Sequence, residues 1–491
     1  MKVFCYLLFG LLSTSAGAQD FGSFPTITKA ELLRDLDLLY QGLDQYHSGM
    51  YWYTPKDSVD MAFEQVKAQI DRDMNVLEFH RLIAPLVGLS REDHTDIFLP
   101  ETTRKSAQEQ ATFFPFTVVF LGKQLYVVRD GSSEGSELKG REIVSINGLS
   151  PVEIVEKTGA LFASDGFIKR VKYSDLEGFD FSRYYYYYFG MVDTFEIRVA
   201  GSSKSYSVKP LKLAEITQNL TSRNTGQKKA NARKWLEFRL VTDSIAYLGI
   251  HTFSNDIIRK SKLDGNYKKF LEEAFASISK KNIRTLVIDL SKNGGGTEGN
   301  ENLLYSYVAD NYQKYLKVRA KAQRVILDNG IDKPIKLKTF GFLEKTFANK
   351  RQADGSYERS EKIGHGLMAY KRKPAHRFDG QLYVIISPVT YSGASEFSNM
   401  AYTNERGVFV GQETGGGFHG NTSGYSSELT LPHSEITIDL PALQFVMNVD
   451  GLPFGSGVIP HYEVIPTFEQ YVNGENASLK FILELEEAKQ P

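Results

Sequence analysis

Between residues 245 and 411 the chain alternates short apolar runs with amphipathic stretches, and this alternation limits the fold more than any other feature. The apolar runs lie at 246–250, 285–290, 381–387 and 408–411. Between the first two, Tyr267, Phe270, Leu271, Ala274, Phe275 and Ile278 share one face at the 3.6-residue period of a helix. Further helices are expected from near Gly299 and over 392–403. Strands separated by helices of this length are joined by crossovers, so they pair in parallel with helices packed on the sheet. The expected fold class is therefore α/β within a larger multi-domain α+β chain.

In parallel sheets, chemistry collects beyond the carboxyl ends of the strands. Two such ends carry unusual residues. After the 285–290 run, Asp289 is followed by Asn293 and then Gly294-Gly295-Gly296, which lets the backbone turn sharply and present bare N–H groups. After the 381–387 run, Thr390-Tyr391-Ser392-Gly393-Ala394 places a serine at a strand-to-helix junction. A helix N-terminus there favours developing negative charge, and the amide of Gly393 is placed to bind an oxyanion. The pattern is not the Gly-x-Ser-x-Gly elbow, because Thr390 stands at the first glycine position. Taken singly, a serine at a helix start is usually an N-cap and a triple glycine usually a loop.

The flanking regions read differently. From 28 to 90 the pattern is helical: Leu32, Leu36, Leu39 and Leu43 form one stripe, with Thr28 and Glu31 as a capping box. This part ends in the polar segment Arg91-Glu92-Asp93-His94-Thr95-Asp96. From about 107 to 210 short β-type runs take over, at 117–120, 124–128 and 195–199. An apolar strand, the turn Asn147-Gly148 and a short helix from Pro151 resemble the core of a PDZ-like module, which would capture an extended peptide end by strand addition. The five-tyrosine run Tyr184 to Tyr188 reads as a half-buried strand. A polar linker is expected around 217–234, and the Lys- and Arg-rich stretch at about 320–375 as a solvated excursion or a cover over the cleft.

With 491 residues and 42% hydrophobic content, the chain can bury two or three cores. Its 58 basic against 59 acidic residues leave no surplus for nucleic acid. Met1-Lys2, the apolar stretch 3–12 and Ala16-Gly17-Ala18 read as a signal peptide cleaved before Gln19, so export to a periplasm or the medium is expected. The lone Cys5 leaves with it. No later stretch reaches the roughly 18–20 apolar residues of a spanning helix. Nine histidines show no tight ligand spacing and no phosphate-loop lysine follows the glycines, so neither metal nor other cofactor is expected.

Asp289 through Gly296, the segment 390–397 and Gly411-Gln412-Glu413-Thr414-Gly415-Gly416-Gly417 occur in order, together with Asp93-His94-Thr95 and the 143–148 segment. In this combination the sequence resembles the tail-specific, C-terminal-processing serine peptidases, a family that includes the tricorn core protease. The resemblance implies a ClpP/crotonase-like peptidase domain, Ser392 as nucleophile, and oxyanion N–H groups from Gly393 and one of Gly294 and Gly295. One branch of the family activates its serine with a lysine; that position is Gly417 here. The tricorn-like branch uses a histidine ahead of the PDZ-like domain, which His94 matches, with His419 as competitor. A serine hydroxyl needs such a base within reach, and imidazole has the right ordinary pKa.

The pattern also departs from the family's. Ser395 stands where a glutamate is frequent, His461 replaces an aspartate, and Phe454 stands where an acidic residue often precedes the last motif. The group orienting the base is thus open, with Asp450 and Glu396 as candidates. The implied division is a signal peptide (1–18), a helical domain (19–106), a PDZ-like domain (107–215), a peptidase domain (235–470) and a helical tail (471–491). The implied partner is peptide or unfolded polypeptide. The alternative is an inactive relative that binds a peptide or small hydrophobic ligand.

Overall fold

The structure is a computed structural model that describes residues 21–223, 234–261, 263–321, 349–353, 355–359 and 374–489. The expected signal peptide with Cys5, the linker residues 224–233 and most of the 320–375 excursion lie outside the described residues.

The alternating region forms the four central strands of a six-stranded sheet: β1 (Leu236–Leu240), β2 (Ile245–Ile250), β3 (Thr285–Asp289), β4 (Gln381–Ile386), β5 (Val408–Gly411) and β6 (Tyr462–Glu463), neighbours in that order. From β2 to β6 every pair is parallel, and β1 is antiparallel to β2. One face buries helices Tyr267–Lys280, Asn300–Ser306 and Gly393–Thr403 through residues such as Leu271, Phe275, Leu304 and Phe397. The other face is covered by helix Ala477–Glu487, whose Leu479 and Ile482 meet Tyr247, Val287, Tyr383 and Ile385. The C-terminal helix is therefore part of the sheet's packing.

At the N-terminal side, helix Lys29–Tyr46 begins with the expected Thr28–Glu31 capping box, and its leucine stripe is buried. It packs with helices Lys56–Gln69 and Val76–Val87. A separate sheet of five antiparallel strands runs Phe116–Leu121, Gln124–Asp130, Glu142–Ile146, Phe195–Val199 and Ser205–Val208 in neighbour order. Asn147 (φ 49°) and Gly148 (φ 82°) make the expected tight turn, closed by a mutual backbone pair between Ile146 and Leu149. The outer edge of Phe116–Leu121 is already occupied: Val118 and Gly178 exchange backbone bonds, and Phe120 N–H donates to Glu177 Oε1 (3.1 Å). A peptide could add there only by displacing them.

Two expectations are corrected. The tyrosine run lies in helix Asp180–Phe189, not a strand. Its Phe181 and Tyr185 enter the core of the five-stranded sheet while Tyr186 and Tyr187 enter the helical core. Five tyrosines in succession are aromatic residues that favour strands, and a local window does not show that two cores divide them. The expected linker also starts later, since Leu213–Arg223 is a helix anchored by buried Ile216.

The parts are joined by a long hairpin, Gly420–Thr430 with Thr437–Met447. Its base places Leu443, Phe445 and Met447 in the core of the parallel sheet, and its far end places Leu429, Leu431, Ile436, Ile438 and Leu440 among the N-terminal helices. Ile97–Phe98 pairs with Thr437 and Ile438, which ties the segment after His94 to this hairpin. Leu440→Ala, at a fully buried position, is expected to lower stability by about 2–5 kcal/mol, read as a fall in the urea midpoint at unchanged slope.

Candidate active site

The two strand ends singled out by the sequence meet. Beyond β3, buried Asn293 is fixed by its Nδ2 donating to Ile250 O (3.0 Å), and its Oδ1 accepts the N–H of Gly295 (2.8 Å). Its carbonyl accepts from Tyr391 N (3.1 Å), and Thr390 Oγ1 donates to Leu290 O (3.0 Å). Asp289 plays a structural part: it accepts from Ser291, Tyr247 and Asn476.

Ser392 stands at this junction with φ 49° and ψ −126°, a conformation that costs a side-chain-bearing residue about 1–3 kcal/mol. Its side chain does not cap helix Gly393–Thr403, so the ordinary reason for a serine at a helix start is absent. Gly295, at φ 94°, packs against it so closely that a Cβ there would lie 2.6 Å from Ser392 Cβ and 3.1 Å from Gly393 N. The choice left open between Gly294 and Gly295 narrows here. Gly295 has given its N–H to Asn293, whereas the N–H groups of Gly294 and Gly393 donate no bond among the described residues.

His94 is carried on the loop between the turn Gly88–Ser90 and Ile97–Phe98. Several buried bonds hold the loop. His47 Nε2 pairs with Thr95 Oγ1 (2.6 Å), Glu92 Oε2 accepts from Thr422 N (2.8 Å), and Asp165 Oδ1 accepts from Asp93 N (2.8 Å). Tyr391 OH reaches Asp93 Oδ1 at 3.5 Å, so the residue before the serine contacts the residue before the histidine. His94 Nδ1 is buried without a hydrogen-bond partner, and no hydrogen bond joins its ring to Ser392 among the described residues. Such bonds are often long before substrate arrives. Burial and the neighbouring Asp165 push the Asp93 carboxyl up to about 6, while protonated His94 opposes both.

The sequence profile of peptidase family S41 matches residues 244–464. Over this stretch the chain is similar to that family, which supports a serine-type peptidase. Its fold is similar to that of mature CPAF at 14% identity, over 94% of this chain and 99% of the other, with TM-score 0.60. A complex of mature CPAF with lactacystin matches at 15% identity, over 93% and 97%, with TM-score 0.60. A putative peptidase from Parabacteroides merdae ATCC 43184 matches at 13% identity, over 92% and 96%, with TM-score 0.47. At these identities the likeness speaks to fold alone. No curated protein sequence matches.

The other candidates make no hydrogen bond to the histidine loop among the described residues. Glu396 is buried in an ion cluster in which Lys314 Nζ sits 2.5 Å from its Oε2 and 2.7 Å from Glu301 Oε1, with Tyr315 OH donating to Glu396 Oε1 (2.9 Å). Asp450 is exposed, accepts the N–H of Gly451, and acts on His419. His419 packs edge-on against Phe418 and Phe454, and burial holds its pKa below the ordinary value. His461 accepts the N–H of Phe409 and stacks on Tyr402, which makes it a strand-edge support. Asp165, Lys314 and Glu301 escaped sequence reading, because none of them sits in a motif.

The Lys314 cluster lies directly under the serine's helix, since a Cβ on Gly393 would sit 3.5 Å from Glu301 Oε2. Burial works against the charge on Lys314, but Glu301 and Glu396 outweigh it; burial likewise lifts Glu301 against the pull of Lys314. Lys314→Met is expected to cost about 3–5 kcal/mol by stranding buried carboxyls. Glu301, its pKa then raised further, binds a proton more readily folded than unfolded, so the variant should lose stability as pH rises from 5.5 to 8. Urea midpoints at the two pH values check this.

Proposed function

We propose that the chain is an exported endopeptidase that hydrolyses peptide bonds through an acyl-enzyme on Ser392, with His94 as general base. The observation that carries this reading is the backbone of Ser392: a non-glycine residue held at positive φ on a helix N-terminus, its hydroxyl not spent on capping. His94 takes the hydroxyl proton as Oγ bonds to the peptide carbonyl carbon. The oxyanion is held by the N–H groups of Gly393 and Gly294. The C–N bond then breaks, and the leaving amine takes the proton from His94. Water, deprotonated by the same imidazole, attacks the acyl carbon and frees Ser392. The substrate is peptide or unfolded polypeptide, and the export reading expects a mature chain that starts near Gln19.

Cleavage of denatured casein and labelling by a fluorophosphonate probe test this together. Ser392→Ala should abolish both, and His94→Ala should lower both by about 10²- to 10⁴-fold while His419→Ala leaves them near wild type. If the wild-type chain neither cleaves nor labels, the ligand-binding alternative replaces this reading. If His419→Ala has the larger effect, the base is wrongly assigned.

Gly295→Ala offers a separate check, since its methyl group must displace the serine or the Gly393 amide. Labelling should slow by about 10²-fold, the scale of a roughly 1 Å misplacement.

A further inference from the structure

Resting on the serine-peptidase reading above, we propose that Asp165 is the positioning residue for His94, holding its loop against the serine's side of the cleft and supplying the negative charge that steadies the imidazolium.

Asp165 is 2% exposed, and each carboxylate oxygen accepts one backbone bond. Oδ1 takes the N–H of Asp93, the residue before the base, and Oδ2 takes the N–H of Gly417 (2.9 Å). Gly417 follows Gly416, whose Cα is so near the serine that a Cβ there would lie 3.3 Å from Ser392 N. One buried carboxylate thus bridges the histidine's loop and the serine's surroundings. Its own place is fixed from both sides: Gly166 N–H donates to Arg91 O (2.9 Å) and Phe167 N–H to Gly455 O (2.7 Å). Gly166 has no room for a side chain, since a Cβ would fall 2.3 Å from Gly455 O.

The electrostatics agree with this placement. Burial raises the Asp165 pKa, and the strongest effect opposing it is the charge on His94, ahead of both backbone bonds. Asp165 thus lies within reach of the charge on His94, although no hydrogen bond joins the two among the described residues. Other charges face the histidine's surroundings. Glu92, Asp93 and Asp96 share its loop with Arg91; Lys172 and Asp175 come from helix Arg170–Asp175, and Tyr391 from the serine's loop. Asp93 and Asp96, on the histidine's own loop, also feel its charge, whereas Asp165 comes from another part of the fold. The carboxylates suggested by sequence are spent elsewhere, Glu396 on Lys314 and Asp450 at the surface.

The test is the rate of Ser392 labelling by a fluorophosphonate between pH 5 and 9. In Asp165→Asn the maximum rate should fall about 10²-fold, and the acid limb should move to lower pH by about one unit, because imidazolium loses its stabilising neighbour. Asp96→Asn should move the limb less. In a His94→Ala background the Asp165 substitution should cause no further loss. A folded Asp165→Asn with an unmoved limb, or an equal loss without His94, overturns the proposal in favour of a purely structural role. If Asp165→Asn does not fold, Asp165→Glu decides: it keeps the charge but displaces the carboxylate, so the rate falls with the limb in place, and an unchanged rate overturns the proposal. If His94→Ala labels at the wild-type rate, the base assignment itself fails; slow His94→Ala with normal Asp165→Asn removes only the present inference.

Discussion

The site depends on two buried carboxylates that accept backbone N–H groups from outside their own segments. Glu92 accepts from Thr422, and Asp165 from Asp93 and Gly417. A carboxylate removed from water is costly unless such bonds are made, and a backbone N–H left without an acceptor is costly as well. Each bond therefore fixes two segments at once. The loop that carries His94 belongs by sequence to the helical region, yet these bonds seat it on the hairpin and glycine turn of the peptidase domain. Burial also pushes Glu92 well above the ordinary carboxylate range, with Asp165 adding to the effect. The seam holds charge under tension, as sites built for proton transfer commonly do.

The hairpin Gly420–Thr430 with Thr437–Met447 makes that seam rigid. Because its two ends lie in two different cores, the helical region cannot shift against the parallel sheet without opening one of them. Ile97–Phe98 joins the same sheet three residues after His94, so His94 is bracketed by strand pairing and the His47–Thr95 bond after it and by the bond from Asp93 to Asp165 before it. Packing energy spent far from Ser392 thus sets the position of groups around it.

Where the fold follows local rules, the sequence is readable. The β2–β5 alternation, the Thr28–Glu31 cap, the Asn147-Gly148 turn and the placing of Ser392 between β4 and its helix all rest on periods or turn chemistry that a short window contains. The misreadings have one cause, which is long-range context. The tyrosine helix is a run of strand-favouring aromatics whose division between two cores no local window shows. The hairpin starts with Gly420-Asn421-Thr422-Ser423-Gly424, a polar stretch without an apolar alternation although Asn421 and Thr422 are buried. Asp165 sits in the unpatterned stretch Ala163-Ser164-Asp165-Gly166, and only the chain returning at 417 and 455 gives it meaning.

Position 417 shows how the choice of base and the geometry constrain each other. A Cβ at Gly417 would lie 2.8 Å from Gly420 O and 3.6 Å from Asp165 Cβ, so a side chain could enter only by moving the turn that opens the hairpin. With that turn closed, its N–H goes to Asp165, and no basic side chain can approach Ser392 along the path a lysine at 417 would take. On the proposed reading a proton acceptor must then come from outside the parallel sheet. The loop that answers is the one whose backbone Asp165 already holds, so the carboxylate that closes one route to the serine also steadies the other.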